Sequence, residues 1–198
     1  MSLFPINLIL TDKPCLVIGG GIIAERKTES LVNAGAKVTL ISPEINVQFE
    51  NKINTGIIKY HKRKYRRGDL KGFFLVIAAT DESSVNEKIY KEAQNLDILI
   101  NCVDIPKKCN FYIPSVIQRG DLQITISSSG KVPYFTKKLR EFFDEIFDEN
   151  FEQELQKLHL MRKKIIEESC NDKVIKEKKF KELLEPLIFE IFEKMYKK

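Results

Sequence analysis

Gly19, Gly21 and Ala24 occupy the three marked positions of a G-x-G-x-x-[GA] turn, directly after the apolar run Cys15, Leu16, Val17 and Ile18. Each position answers one physical demand. Gly19 permits a tight turn, Gly21 lets an anion approach bare backbone, and Ala24 is small enough for the next helix to pack against the strand. The first helical turn, with Ile22 and Ile23, offers unpaired N–H groups and partial positive charge. The chemistry this favours is the binding of a dinucleotide pyrophosphate. Asp104, two residues ahead of Pro106, is a second candidate. A carboxylate there can accept a proton or close the turn before the proline, and spacing leaves both open.

Residues of these kinds act only if regular elements position them. Apolar and β-branched runs predict strands at 15–18, 37–41, 57–60, 73–79 and 98–103, and amphipathic patterns predict helices at 22–34, 46–54 and 81–95. The run at 73–79 is continuously apolar, as a strand covered on both faces must be. Strands alternating with helices imply an α/β fold, a Rossmann-type parallel sheet over residues 1–113. Beyond it the pattern changes. A single helical turn is expected at 114–119, a half-buried strand at 122–127, a flexible Ser-Ser-Ser-Gly-Lys loop at 127–131, and a helix over 133–147. From 150 onward the chain reads as helical, broken near 171–172 and perturbed at Pro186, with apolar stripes at Leu155, Leu158, Met161 and Ile165 and at Leu183, Leu184, Leu187 and Ile191. The expected organisation is a Rossmann domain at 1–113, a dimerisation and substrate-loop region at 114–147, and a helical domain at 148–198.

Composition narrows the classes. A chain of 198 residues with 43% hydrophobic and 31% charged residues can build a core and keep a solvated surface. No apolar run approaches the ~20 residues of a membrane span, and the N-terminus lacks the layout of a signal peptide. Four cysteines without a C-x-x-C pair point to reduced thiols, a cytoplasmic location and no metal site, the Cys102/Cys109 pair included. The net charge of +5 comes with no nucleic-acid motif, so neither nucleic acid nor membrane is an expected partner. The basic run Lys62, Arg63, Lys64, Arg66 and Arg67 reads as a solvated loop.

Where the second strand ends, the acid usual at that tip is replaced by Ser42, followed by Pro43 and Glu44. The ribose contact then falls to Glu44 or to backbone at Pro43. No arginine stands there to receive a 2′-phosphate, which favours NAD over NADP. Thr80 and Asn101, at later strand ends, either touch the ribose or nicotinamide or cap a helix and close a turn.

Four further segments accompany the glycine turn. They are Ala-Ala-Thr-Asp at 78–81, Asn101-Cys102-Val103-Asp104, Phe111-Tyr112-Ile113-Pro114-Ser115, and Ile-Ser-Ser-Ser-Gly-Lys-Val-Pro at 126–133. In this order and spacing the chain resembles the precorrin-2 dehydrogenase family, the dehydrogenase/ferrochelatase module of siroheme synthases. The resemblance implies NAD+-dependent removal of two hydrogens from precorrin-2 to give sirohydrochlorin, within a homodimer. It leaves insertion of Fe²⁺ or Co²⁺ open as a second step. The methyltransferase domain fused in some relatives would not fit in 198 residues, so a stand-alone form is expected.

The family's key aspartate matches Asp104, and a serine of its substrate-side loop matches Ser128, with Gly130 and Lys131 beside it. Substrate carboxylates would be met by some of Lys107, Lys108, Lys131, Lys137, Lys138 and Arg140, each of which also serves solubility. Two other readings compete. One is a member acting chiefly as a chelatase. The other is a non-enzymatic NAD-sensing Rossmann regulator.

Overall fold

The computed structural model describes residues 3–103, 105–170 and 172–196. In it the apolar runs of the first half become β1 (Pro14–Ile18), β2 (Lys37–Ser42), β3 (Ile58–Lys62), β4 (Leu75–Ala78) and β5 (Leu99–Cys102). Between them lie α1 (Ile22–Asn33), α2 (Gln48–Asn54) and α3 (Ser83–Asn95). The strands pair in parallel in the order β3-β2-β1-β4-β5. The chain therefore builds outward from β1 to β3, then crosses to β4 on the other side. Loops leaving β1 and β4 diverge at that reversal, which opens a crevice beyond the carboxyl ends of the two strands.

Both faces of the sheet are covered. Val17, Leu40, Leu75 and Ile77 pack with Ala24 and Leu31 of α1 and Phe49 of α2. On the opposite face Leu16, Ile18, Val76 and Ile100 pack with Ile89 and Ala93 of α3. All four residues of β4 are buried, which is why its sequence shows no alternation. With seven residues, α2 is too short to persist alone. Complete burial of Phe49, contributing roughly 1.5–3 kcal/mol, holds it in place.

The exposed side of β5 is closed by a side chain imitating a strand. Asn110 Oδ1 accepts from the Ile100 N–H (2.8 Å), and Asn110 Nδ2 donates to the Ile98 carbonyl (3.1 Å). Its backbone N–H donates to the Ile100 carbonyl (3.1 Å). The ladder groups of an edge strand are thus satisfied without another strand.

One buried polar atom lacks a partner among the described residues. Thr28 Oγ1, on the packed side of α1, makes no hydrogen bond. Thr28→Val removes that desolvated hydroxyl and keeps the shape, so it should stabilise the protein by about 1 kcal/mol. A denaturant midpoint that fell instead would show that the hydroxyl has a partner in solution.

A second compact unit begins at Pro114. Its β6 (Ser115–Arg119) and β7 (Leu122–Ile126) form an antiparallel hairpin in which Ile117 faces Ile124. The helical turn expected at 114–119 is therefore a strand. Val116 and Ile117 favour extended backbone, and the two-residue turn at Gly120 and Asp121, with Gly120 at φ +53, lets the strands pair. Among the described residues α4 (Pro133–Ile146), α5 (Phe151–Glu168), α6 (Lys173–Lys179) and α7 (Glu185–Tyr196) follow.

Asp172 caps α6 by accepting from the N–H groups of Val174 (2.8 Å) and Ile175 (3.1 Å). A π-helical turn, Phe180–Leu184, precedes α7. Pro186 cannot donate to the preceding turn, and a widened turn accommodates the missing bond. Ile165 and Ile191 are buried in this unit. Among the described residues no helix is long and apolar enough to cross a membrane.

Candidate functional site

Three consecutive glycines at the end of β1 meet three different surroundings. Gly19 adopts φ +120, and a Cβ there would overlap the Ala79 carbonyl at the end of β4. A Cβ on Gly20 would overlap the Glu44 carbonyl oxygen beyond β2. Gly21 has nothing within 4 Å of where a Cβ would stand. The first two glycines let the strand ends close together, and the third leaves backbone open.

Gly21 is also the N-cap of α1 and makes no side-chain cap. The donors of the first turn are left to a ligand or to solvent. Ile22 and Ile23, 74% and 44% exposed, stand at the same opening. An open glycine before uncapped helix donors fits a pyrophosphate, so these residues are suited to hold a dinucleotide.

The ends of β1, β2, β4 and β5 are bound into one rim. Gly19 N–H donates to the Ile41 carbonyl (3.0 Å), Ala79 N–H to the Ile18 carbonyl (2.8 Å), and Val103 N–H to the Ala78 carbonyl (3.0 Å). Ser42, 5% exposed, donates its hydroxyl to the Glu44 carbonyl (2.5 Å). The Asn46 N–H donates to the Gly20 carbonyl (2.7 Å). Ser42 thus folds the 42–46 loop against the glycine turn. Glu44 and Pro43 follow on that loop, with Glu44 exposed and Pro43 at the surface.

Thr80 is pinned by Asn86, a residue the sequence reading did not single out. Asn86 is fully buried. Its Oδ1 accepts from the Thr80 hydroxyl (2.8 Å), and its Nδ2 donates to the Thr80 carbonyl (2.9 Å). An amide on the first buried position of α3 was the available signal. Asn101 donates to the Phe111 carbonyl (3.1 Å), tying the returning 109–111 segment to β5. Both side chains therefore have internal partners at the strand ends. Asp104 lies outside the described residues.

Lys27 was also missed. It follows Ala24 by about one helical turn on α1, neighbours the buried Thr28 and is half-buried. Burial, helped by Arg26, lowers its pKa, while the nearby Cys109 thiol opposes that shift. Burial raises the Cys109 thiol, which donates to the Cys102 carbonyl (3.2 Å). Cys15, in the sheet core, is pushed up to about 11 by burial. Cys15 packs as a small apolar group, whereas the Cys109 sulfur also accepts from the Cys102 N–H (3.2 Å).

Several of the candidate cations are already matched. Lys108 pairs with Glu87, Lys138 and Lys137 with Glu141 (2.7 and 3.8 Å), and Arg140 with Asp144 (3.5 Å). Lys107 and Lys131 have no carboxylate partner among the described residues, so they are better placed to receive an anion. In the second unit Ser128 Oγ accepts from the Val132 N–H (3.1 Å), and the Lys131 N–H donates to the Ser128 carbonyl (3.0 Å). Ser129 and Gly130, at φ +54 and +75, complete this turn ahead of α4.

In the basic run after β3, Lys62, Lys64, Arg66 and Arg67 are exposed, as a solvated loop has them, while Arg63 is held by its side chain. Arg63 grips Asp69 with two bonds (2.7 and 2.8 Å), and the Arg66 N–H adds a third (2.8 Å). The Arg63 guanidinium accordingly holds the Asp69 carboxyl below the usual carboxylate range. The sequence pattern showed the charges but not their partner six residues on.

A family model described as "Putative NAD(P)-binding" matches residues 6–115. The precorrin-2 dehydrogenase of Bacillus subtilis is 34% identical over 162 residues, covering 82% of this chain and 99% of that protein. A siroheme synthase of Methylobacillus flagellatus is 41% identical over 140 residues, 71% of this chain; the chain spans only 30% of that relative's length. A solved structure titled SirC, precorrin-2 dehydrogenase, superposes with a TM-score of 0.78 at 26% identity, covering 99% of this chain and 100% of that one.

Proposed function

This chain belongs to the precorrin-2 dehydrogenase family, and from that premise we propose that it oxidises precorrin-2 to sirohydrochlorin with NAD+. The observation that carries the reading is the open backbone at Gly21 before an uncapped helix, set in a chain that matches a whole precorrin-2 dehydrogenase. The reaction removes a hydride and a proton from the reduced macrocycle, leaving sirohydrochlorin, NADH and H+. When bound, NAD+ supplies the hydride acceptor.

The protein's own part is to bind, orient and take the proton. Gly19 and Gly21 shape the turn, and the N–H groups of Ile22 and Ile23 receive the pyrophosphate. Ser42, Pro43 and Glu44 form the adenosine side of the crevice, and Thr80 and Asn101 brace the other strand ends. The absence of arginine from the β2 tip supports NAD over NADP.

Asp104 is assigned as the proton acceptor, because it follows β5, where sheets of this kind carry their chemistry. Ser128, Gly130 and Lys131 are assigned to substrate contact, Lys131 and Lys107 through its carboxylates. The same carboxylate would assist insertion of Fe²⁺ or Co²⁺ by deprotonating pyrrole nitrogens. Exposed Phe135 and Phe142 on α4, 57% and 55% accessible, support a homodimer. Four free thiols support a cytoplasmic location.

An anaerobic assay with precorrin-2 and NAD+, followed at 340 nm, tests the dehydrogenase; NADH should form in proportion to sirohydrochlorin. Absence of turnover with authentic substrate would sink the assignment. Adding Fe²⁺ or Co²⁺ afterwards reads the second step separately.

A further inference from the structure

We propose that a basic groove between the β3–β4 connector and α3 binds a small organic polyanion, at a site separate from the nucleotide crevice. The groove has a volume of about 870 Å³, within the usual range for small-molecule sites, and Arg67, Lys71, Lys88 and Lys91 line it. It follows α3 from Val85 to Leu96. The helix starts at the crevice rim and runs back along the sheet, carrying the groove away from the glycine turn.

Positive charge exceeds negative in this groove, with four cations against the single carboxylate of Glu92. Lysines on α4 and α5 mostly pair with a glutamate three or four residues away. Arg67, Lys71 and Lys88 have no such partner among the described residues. Lys91 alone has one, Glu87 at 3.4 Å. The one carboxylate in the lining, Glu92, is 8% exposed and already occupied. It accepts from the Tyr65 hydroxyl (2.6 Å) and from the N–H groups of Gly68 (3.0 Å) and Leu70 (3.2 Å). Burial and Glu92 together push the Tyr65 phenol well above its ordinary value, so it remains a donor to Glu92.

Glu92 therefore serves as a structural post that fixes the connector. The hydrogen bonds of Glu92 go to the connector, and Arg67, Lys71 and Lys88 keep no ion-pair partner among the described residues. Like charges held around a concave wall focus a positive potential. A ligand with two or more carboxylate or phosphate groups would engage several of them at once through charge-assisted bonds. Its organic body would lie along the wall carrying Tyr65.

Amide chemical shifts of the full-length protein, titrated with citrate and separately with inorganic tripolyphosphate at 0.15 M salt, test this. Shifts of Gly68, Lys88 and Lys91 are expected below about 10 mM probe. The better probe distinguishes carboxylate from phosphate recognition. An Arg67→Gln/Lys88→Gln variant should bind at least about tenfold more weakly, since two charge-assisted contacts are lost. Gly21→Asp, which changes only the glycine turn, should leave these shifts in place.

No shifts at these amides with either probe would overturn the site. So would shifts that persist undiminished in the double variant, or that vanish in Gly21→Asp. Because the readout involves neither NAD nor precorrin-2, its failure would leave the dehydrogenase assignment standing, and the reverse also holds.

Discussion

Gly21→Asp should abolish measurable NAD binding while the protein unfolds at its usual temperature or slightly above. Apart from its chain neighbours, nothing lies within 4 Å of where a Cβ would stand, so a side chain can leave the backbone there without a clash at its first atom. A carboxylate at the N-terminus of α1 interacts favourably with the helix dipole, by about 0.3–1 kcal/mol. The same carboxylate occupies and repels the place a pyrophosphate must take. Affinity should fall on the order of 100-fold or more, equivalent to roughly 2.7 kcal/mol.

Gly19→Ala should show the opposite pattern. Its backbone lies at φ +120, and the added methyl would overlap the Ala79 carbonyl. Strain and overpacking together cost about 2–5 kcal/mol, a large share of a marginal stability. Calorimetric binding and thermal melts on the two variants check the pair. A destabilised Gly21→Asp with intact NAD affinity would remove the glycine turn from the binding site.

Asp104→Asn should lower the rate of precorrin-2 oxidation by about a hundred- to ten-thousand-fold, the range spanned by loss of a general base. The amide keeps the size of the side chain and can still cap a turn, but it cannot accept the proton at neutral pH. NAD affinity, governed by the glycine turn at the other strand end, should stay within about twofold of wild type. Single-turnover absorbance changes and NAD titration read the two quantities independently. An unchanged rate would leave Asp104 with the turn-closing role that Pro106 equally suggests. A parallel loss of NAD affinity and melting temperature would mark it as structural.

Much of the first unit is legible in the sequence alone. Strand and helix types there depend on local pattern: the continuous apolar β4, the glycine turn and the alternation of strands with helices. Boundaries moved where tertiary bonds intervened. Phe74, for example, donates to the Pro14 carbonyl (2.8 Å) ahead of β4 proper. The hairpin β6–β7 was misread at its first strand because a five-residue run is too short for periodicity to distinguish strand from helical turn. The Gly120–Asp121 turn between two β-branched runs was the better signal.

At the site the division is sharper. By itself the sequence determined the dinucleotide turn, the family, and a carboxylate after the last strand of the sheet. Glycine spacing and strand periodicity are properties of contiguous residues, and those can be read in one dimension. Only the tertiary structure decided why Gly19, Gly20 and Gly21 are glycines for separate reasons: Ala79 and Glu44 come from distant stretches of chain. It also decided that Ser42 folds its own loop, that Asn86 holds Thr80, and that Lys108, Lys137 and Lys138 are each paired with a glutamate. Hydrogen bonds and ion pairs depend on which groups meet across the fold. A list of residues names the groups, but their meeting is fixed by how the sheet and helices pack.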